Sequence, residues 1–232
     1  MDAHYYSFSR LTVKLAIFDF DGTLLQKDTL PCLAKEWLRQ GRSRLRCYSV
    51  GAAVLPVWFA FKLRLISREN MKRLAFKRFN RLYIGLRRSE IVEFFRQAYP
   101  YLKVHFNPAV LEEIESARRE GFHCVLVSGS YLEMLQIIGA DLGIDTVLGA
   151  QLVYRDDVYD SHGDTRFVDG QAKRNMLLEA FSAQDIDWQA SRAYGDSLTD
   201  IYIMETVGDK IAVRPDPHLL DYAGQNGWRV MA

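Results

Sequence analysis

The chain has 232 residues, 49% of them hydrophobic, and a formal net charge of +1. That composition excludes a disordered or fibrous chain, and the length accommodates one large domain or a domain carrying an insert. Three cysteines, Cys32, Cys47 and Cys124, stand far apart with no Cys-x-x-Cys pair, which argues against a zinc site or a disulfide scaffold and fits a reducing, cytoplasmic setting. Residues 1–10 contain no apolar run of the kind a secretory signal needs.

Residues 13–20 read as a buried strand: short, apolar and ended by Asp-Gly. After Thr23 the periodicity turns helical. Residues 50–61 carry no charge and include Trp58 and Phe59, but twelve residues interrupted by Pro56 are too few to span a membrane. They read either as a buried helix broken at the proline or as an interfacial segment, since Lys62, Arg64, Arg68, Lys72 and Arg73 follow at once. Ser67 is a candidate N-cap for a helix through Tyr83, with Met71, Leu74, Ala75, Phe79 and Leu82 on one face and Gly85 as its stop. Ser89 caps a further helix expected to end before Pro100, and Asn107-Pro108 opens another that Arg118, Arg119 and Gly121 close.

Strands and helices then alternate. Residues 122–127 are a strand, 131–142 a helix, 145–148 a short strand and 151–159 a hairpin-like stretch. Residues 170–182 are helical, 192–194 a strand, 198–207 a helix and 210–213 a strand, with a last helix over 215–226 before residues 228–231. This alternation predicts an α/β domain with a parallel sheet. Residues 25–100 are expected to form an all-helical insert after the first strand, leaving 1–24 and 101–232 as the core. Charge marks the same division. Between residues 35 and 88, fifteen Lys and Arg face only Glu36 and Glu69, a local charge of +13 that leaves −12 for the rest.

The acidic part holds the chemistry. Asp19 and Asp21 end the first strand and run into Gly22-Thr23, Ser128-Gly129-Ser130 follows a later strand, and Gly195-Asp196-Ser197-Leu198-Thr199-Asp200 follows another. Open α/β sheets bind ligands at the carboxyl ends of their strands. Carboxylates converging there with no His or Cys beside them suit a hard cation held by oxygen, Mg²⁺ above all. Asp196 and Asp200, four residues apart at a helix start, can share one side of it. The Ser128 turn offers backbone N–H groups and a hydroxyl to a phosphate, and Lys173 adds a positive charge. Carboxylates, a cation, a lysine and an anion-binding turn together describe phosphoryl transfer, with one Asp attacking phosphorus.

Taken singly, each piece has an ordinary reading. Asp-Gly is a common turn pair, Ser128 could cap a helix, Lys173 could be a solvated surface lysine, and Asp200 a first-turn acid favoured by the helix dipole. The five histidines show no metal-ligand spacing.

In order and in combination, Asp-Phe-Asp-Gly-Thr, Ser128, Lys173 and Gly-Asp-Ser-x-x-Asp resemble the four motifs of the haloacid dehalogenase-like phosphatases. The spacing is similar to that of their phosphoserine-phosphatase-like subclass, in which a helical cap lies between the first two motifs. The resemblance covers nearly the whole chain and is weaker in the cap. It implies a Rossmann-like, five-stranded parallel core beneath a helical cap, with substrate bound between them. It implies Asp19 as the nucleophile that forms an aspartyl-phosphate, and Asp21 as the acid for the leaving alcohol and then the base for water. It implies Mg²⁺ held by Asp19, the Asp21 carbonyl and Asp196, with Asp200 a further ligand or a support just behind the ligands, and a phosphoryl group bound by Ser128, Gly129 and Lys173, with Thr23 holding the loop.

The expected activity is a Mg²⁺-dependent phosphomonoesterase acting on a small phosphorylated metabolite or on a lipid phosphate. The family's phosphoserine enzymes carry a glutamate soon after the first motif, where the nearest acid here is Asp28. The basic segment favours an anionic substrate over a zwitterionic one, and is compatible with peripheral contact at an inner membrane surface. A phosphotransferase would use the same residues. A non-enzymatic module binding membrane or another polyanion through the basic cap would not need the aspartates, and nucleic acid is not an expected partner.

Overall fold

The computed structural model describes residues 12–163, 165 and 167–231. The signal-free reading of residues 1–10 lies outside them. The first strand, β1 (Leu15–Asp19), is buried along its whole length, as an unbroken apolar run is when both faces of a parallel strand are covered. Four helices follow: α1 (Thr29–Arg39), α2 (Arg44–Lys62), α3 (Arg68–Phe79) and α4 (Arg88–Lys103), with a 3₁₀ turn at Asn80–Tyr83. Then come α5 (Pro108–Arg119), β2 (His123–Tyr131), α6 (Leu132–Leu142), β3 (Thr146–Ala150), the hairpin strands β4 (Tyr154–Arg155) and β5 (Val158–Tyr159), and α7 (Gly170–Ala180). The chain continues through β6 (Arg192–Gly195), a 3₁₀ turn at Leu198–Asp200, α8 (Ile201–Met204), β7 (Asp209–Val213), α9 (Pro217–Gln225) and β8 (Arg229–Met231).

Six strands form one parallel sheet in the order β3-β2-β1-β6-β7-β8. The α/β expectation holds. The resemblance implied five strands; the sixth is β8, a three-residue edge strand against β7. From β1 the chain winds outward through β2 to β3, then returns to lay β6 on the other side of β1. The strand order therefore reverses at β1, and the crevice at its carboxyl end is where a doubly wound sheet opens a ligand site. Asp19 is the last residue of β1 and Gly195 the last of β6, so the aspartate motifs meet at that crevice.

Both prolines expected to break helices lie inside them, Pro56 in α2 and Pro100 in α4. Each removes one N–H bond, from the carbonyl of Ala52 or Arg96. Those residues and both prolines are exposed, so water takes over the lost donor's place. The helix boundaries also differ from those the sequence predicts. Ser67 accepts the Asn70 N–H at 3.2 Å as expected, but α3 ends at Phe79 and tightens into the 3₁₀ turn before Gly85. The next helix starts at Arg88 rather than at a Ser89 cap, because the Glu90 carboxylate accepts the Arg87 N–H at 2.8 Å. The helix expected over 198–207 is a 3₁₀ turn and four α-helical residues, drawn tight by bonds from Ser197 to the Asp200 carboxylate.

An aromatic cluster joins the helices between β1 and α5 to the sheet. Tyr131 at the end of β2 stacks on Phe76 at 4.9 Å and on Phe95 at 5.3 Å, and meets Tyr83 edge-on at 5.5 Å. Its hydroxyl donates to Asn80 Oδ1 at 2.7 Å, and both residues are buried. Tyr131→Phe strips that acceptor of its donor while keeping the ring. It is expected to cost about 1–3 kcal/mol. Urea unfolding is the check, with a lower midpoint at unchanged slope.

Candidate active site

The site is built outward from Asp19, which is 5% exposed. Its Oδ1 accepts a hydrogen bond from Lys173 Nζ at 2.5 Å, and the same ammonium reaches Asp200 Oδ1 at 2.9 Å. Lys173 comes from the first turn of α7, whose N-terminus is capped by Asp169 accepting the Ala172 N–H at 3.0 Å. That helix seats against the turn after β6 only because residue 170 is glycine: a Cβ there would overlap the Thr199 carbonyl. The second oxygen of Asp200 accepts the Ser197 N–H at 3.1 Å and its hydroxyl at 2.9 Å. Asp196 completes the group from the end of β6. Gly22 has φ +92° and lies so close beneath Asp196 that any Cβ would strike its carboxylate. This is the left-handed, side-chain-free position that the Asp-Gly pair supplies.

Asp19, Asp196 and Asp200 each offer an oxygen to one point, these atoms lying within 4.8 Å of one another. Burial pushes the Asp19 carboxyl up, and the Asp200 charge adds to the rise. Burial also raises Asp196, with Asp19 and then Asp200 adding to it. Burial would raise Asp200 too, but the Lys173 ammonium and the Ser197 hydrogen bonds outweigh it and hold that carboxyl low. Lys173 loses solvation on burial, and the two aspartates more than restore its charge. One lysine thus offsets only part of three clustered carboxylates. Hard oxygen donors with surplus negative charge suit a divalent cation such as Mg²⁺.

The Asp21 carboxylate lies apart from that cluster. Its Oδ1 accepts both the N–H and the hydroxyl of Thr29, each at 2.6 Å, which ties it to the start of α1. Burial raises this carboxyl against the pull of those Thr29 bonds. Asp21 is not among the carboxylates that cluster with Asp19, and the family resemblance implies its main-chain carbonyl as the metal ligand. Ser128 Oγ accepts the Ser130 N–H at 3.0 Å, in the stretch where β2 loses register with β3. The Ser128 turn is thus the end of an extended strand, and α6 begins only at Leu132. Gly129 comes so close to the Val168 carbonyl that a side chain would clash. Thr23 is fully buried, its hydroxyl without a hydrogen-bond partner among the described residues.

A cavity of about 910 Å³ opens over Asp19, Asp21, Ser128, Gly129 and Lys173, and α1, α2 and α3 contribute its walls. Lys72 lines it from α3 and pulls down both the Asp21 and Asp196 carboxyls. Lys72, one of the cations that suit a membrane surface by sequence, thus belongs to the site. The overlooked signal is spacing: Arg68, Lys72 and Phe76 recur every four residues, share a helix face, and all line the cavity.

Known proteins can be set beside this geometry. The profile of the haloacid dehalogenase-like hydrolases matches residues 16–205. A phosphoserine phosphatase of Mycobacterium tuberculosis is 25% identical over 94% of this chain, which spans 48% of that protein. A histidinol-phosphatase of Neisseria meningitidis serogroup C is 23% identical over 94% of this chain and 97% of its own length. A crystal structure of a protein of unknown function from Bordetella pertussis Tohama I superposes with a TM-score of 0.80 at 20% identity, covering 95% of this chain and 99% of that one, a likeness of fold. Matched by that profile over most of its length, the chain belongs to the haloacid dehalogenase-like hydrolase family.

Proposed function

We propose that the protein is a Mg²⁺-dependent phosphomonoester hydrolase working through an aspartyl-phosphate on Asp19. The observation that carries this reading is the cluster of Asp19, Asp196 and Asp200, in which Lys173 bridges Asp19 and Asp200 while Asp19 and Lys173 line the cavity. In the first step an Asp19 oxygen bonds to phosphorus, the ester P–O bond breaks, and Asp21 gives its proton to the departing alcohol. In the second step water attacks phosphorus, Asp21 takes the water's proton, and the bond to Asp19 breaks to release phosphate. The raised Asp21 carboxyl and its anchorage on Thr29 suit an acid that must be protonated and held in place. Lys173 and Ser128 bind the transferring oxygens, Gly129 lets the strand end approach them, and Thr23 supports the loop.

Asp19, Asp196 and Asp200, with the Asp21 carbonyl, would hold the ion, which when bound supplies positive charge against the phosphoryl group. The substrate is a small phosphorylated metabolite or a lipid phosphate. No helix among the described residues is long and apolar enough to cross a membrane, and a cytoplasmic placement with peripheral contact through the basic helices goes with this reading.

The test is phosphate release from a panel of soluble and lipid phosphomonoesters, with and without Mg²⁺, and with Asp19→Asn as the control. A folded protein that releases nothing from any ester in Mg²⁺ would overturn the reading. Metal binding has its own readout. At a hundredfold excess over its dissociation constant, Mg²⁺ is expected to add about 2.7 kcal/mol, or about 5–10 °C in melting temperature. Asp196→Asn should remove most of that shift.

A further inference from the structure

We propose that the substrate carries its phosphate on a long apolar chain, and that the cavity above Asp19 is the seat of that chain. The inference rests on the phosphomonoesterase reading and names the substrate class for the same site.

The cavity's chemistry is divided. Its floor is polar and charged: Asp19, Ser128 and Lys173 line it, and Lys173 Nζ donates to Asp19 Oδ1 at 2.5 Å. The wall above is apolar: Val54, Leu55, Trp58 and Phe61 from α2, with Met71 and Phe76 from α3. The four α2 residues lie at helical spacing and so form one stripe. At about 910 Å³ the cavity is at the upper end of the range of roughly 300–1,000 Å³ that small-molecule sites occupy. A phosphorylated amino acid would engage the floor and leave this wall wet. An alkyl or isoprenoid chain would displace that water, which is where an apolar wall contributes binding.

The stripe also shows where the chain would leave. Leu55 and Trp58 line the cavity yet are 52% and 43% exposed, so they form its rim. Phe59 packs edge-on against Trp58 at 5.3 Å, and it and the following Leu63 and Leu65 are 52%, 69% and 72% exposed. Helix packing does not use these side chains, since the buried residues of α2 are Cys47, Val50 and Val57. The rim is cationic as well: Lys62 sits 5.2 Å from the Trp58 ring, and Lys62 and Lys72 line the cavity beside Arg68, whose charge is paired with Asp216 at 2.7 Å. A cationic mouth on an apolar channel that ends at a phosphoryl site matches an anionic single-chain amphiphile. Apart from Asp19 and Asp21 on the floor, the acids that line the cavity, Asp28, Glu69 and Asp169, are all exposed and give a substrate ammonium no enclosed partner on the wall.

The experiment measures kcat/KM with the full chain in Mg²⁺ for glycerol 3-phosphate and 1-acylglycerol 3-phosphates of increasing acyl length. Phosphoserine and p-nitrophenyl phosphate serve as chainless esters, and farnesyl monophosphate as the isoprenoid arm. All are assayed below their critical micelle concentrations. The expected result is a rise of about three- to fourfold per added methylene until the chain outgrows the cavity, the gain that burying a methylene gives. Leu55→Glu and Trp58→Ala, both at the exposed rim, are expected to flatten that slope. The relative rise on acyl and isoprenoid chains identifies which apolar chain the wall fits. Equal or better turnover of the chainless esters, or a slope unchanged in both variants, would overturn the proposal and leave the phosphatase reading standing. Failure on every ester, p-nitrophenyl phosphate included, would overturn both.

Discussion

Asp19→Asn is expected to abolish phosphate release while the protein stays folded. The replacement keeps the side chain's shape and removes one of three clustered carboxylates whose repulsion, with burial, already pushes the Asp19 carboxyl up. The metal-free variant should therefore melt no lower than the parent. Its chemistry is another matter. An amide cannot attack phosphorus to leave a carboxyl phosphate, so the loss is that of a nucleophile, about 10,000-fold or more in kcat. The covalent step has a direct readout: a ³²P-labelled ester, quenched in acid after milliseconds, should leave label on the parent protein and none on the variant. A variant that keeps a tenth of the parent's turnover, or still acquires label, would show that Asp19 is not the attacking group.

How far the sequence was legible depended on the range of the contacts involved. Asp19 could be placed at the end of a buried strand because the preceding run is apolar and stops at Asp-Gly, both local signals. Alternation of strands and helices placed the aspartate motifs at the carboxyl ends of parallel strands, but that the strand order reverses at β1 and brings Asp19 and Asp196 to one crevice is set by long-range strand pairing. The direction of the Asp21 side chain was not legible. It is set by Thr29, which reaches it only once α1 has docked. The same holds for Lys72: its helix and face could be read, but not that α3 lies across the mouth of the site. The prolines misled because a local rule met a favourable setting, each removing a hydrogen bond on an exposed face where water takes the carbonyl. The apolar run in α2 was visible as composition. That one stripe of it walls a cavity while other residues face solvent depends on packing that no window of sequence contains.

Lys173→Met should cost the metal-free protein more stability than any surface change. The lysine is 8% exposed and is hydrogen-bonded to Asp19 and Asp200, so removing it leaves two buried carboxylates facing each other with no cation between them. Removing one partner of a buried ionic group typically costs about 3–5 kcal/mol, because the penalty is that of the stranded charge. For a chain of this size that is a fall of about 6–20 °C in melting temperature. A stability loss alone would not separate a structural lysine from one that also binds phosphate, but metal makes the two separable. Saturating Mg²⁺ brings positive charge to the same carboxylates and should recover much of the lost stability. Turnover should stay at least about a hundredfold down under those conditions, because an ion held by the aspartates does not replace a donor to the phosphoryl oxygens. If Mg²⁺ restored turnover along with stability, Lys173 would be a structural counter-charge alone. If the variant melted like the parent without metal, the ion-paired arrangement of the three side chains would be wrong.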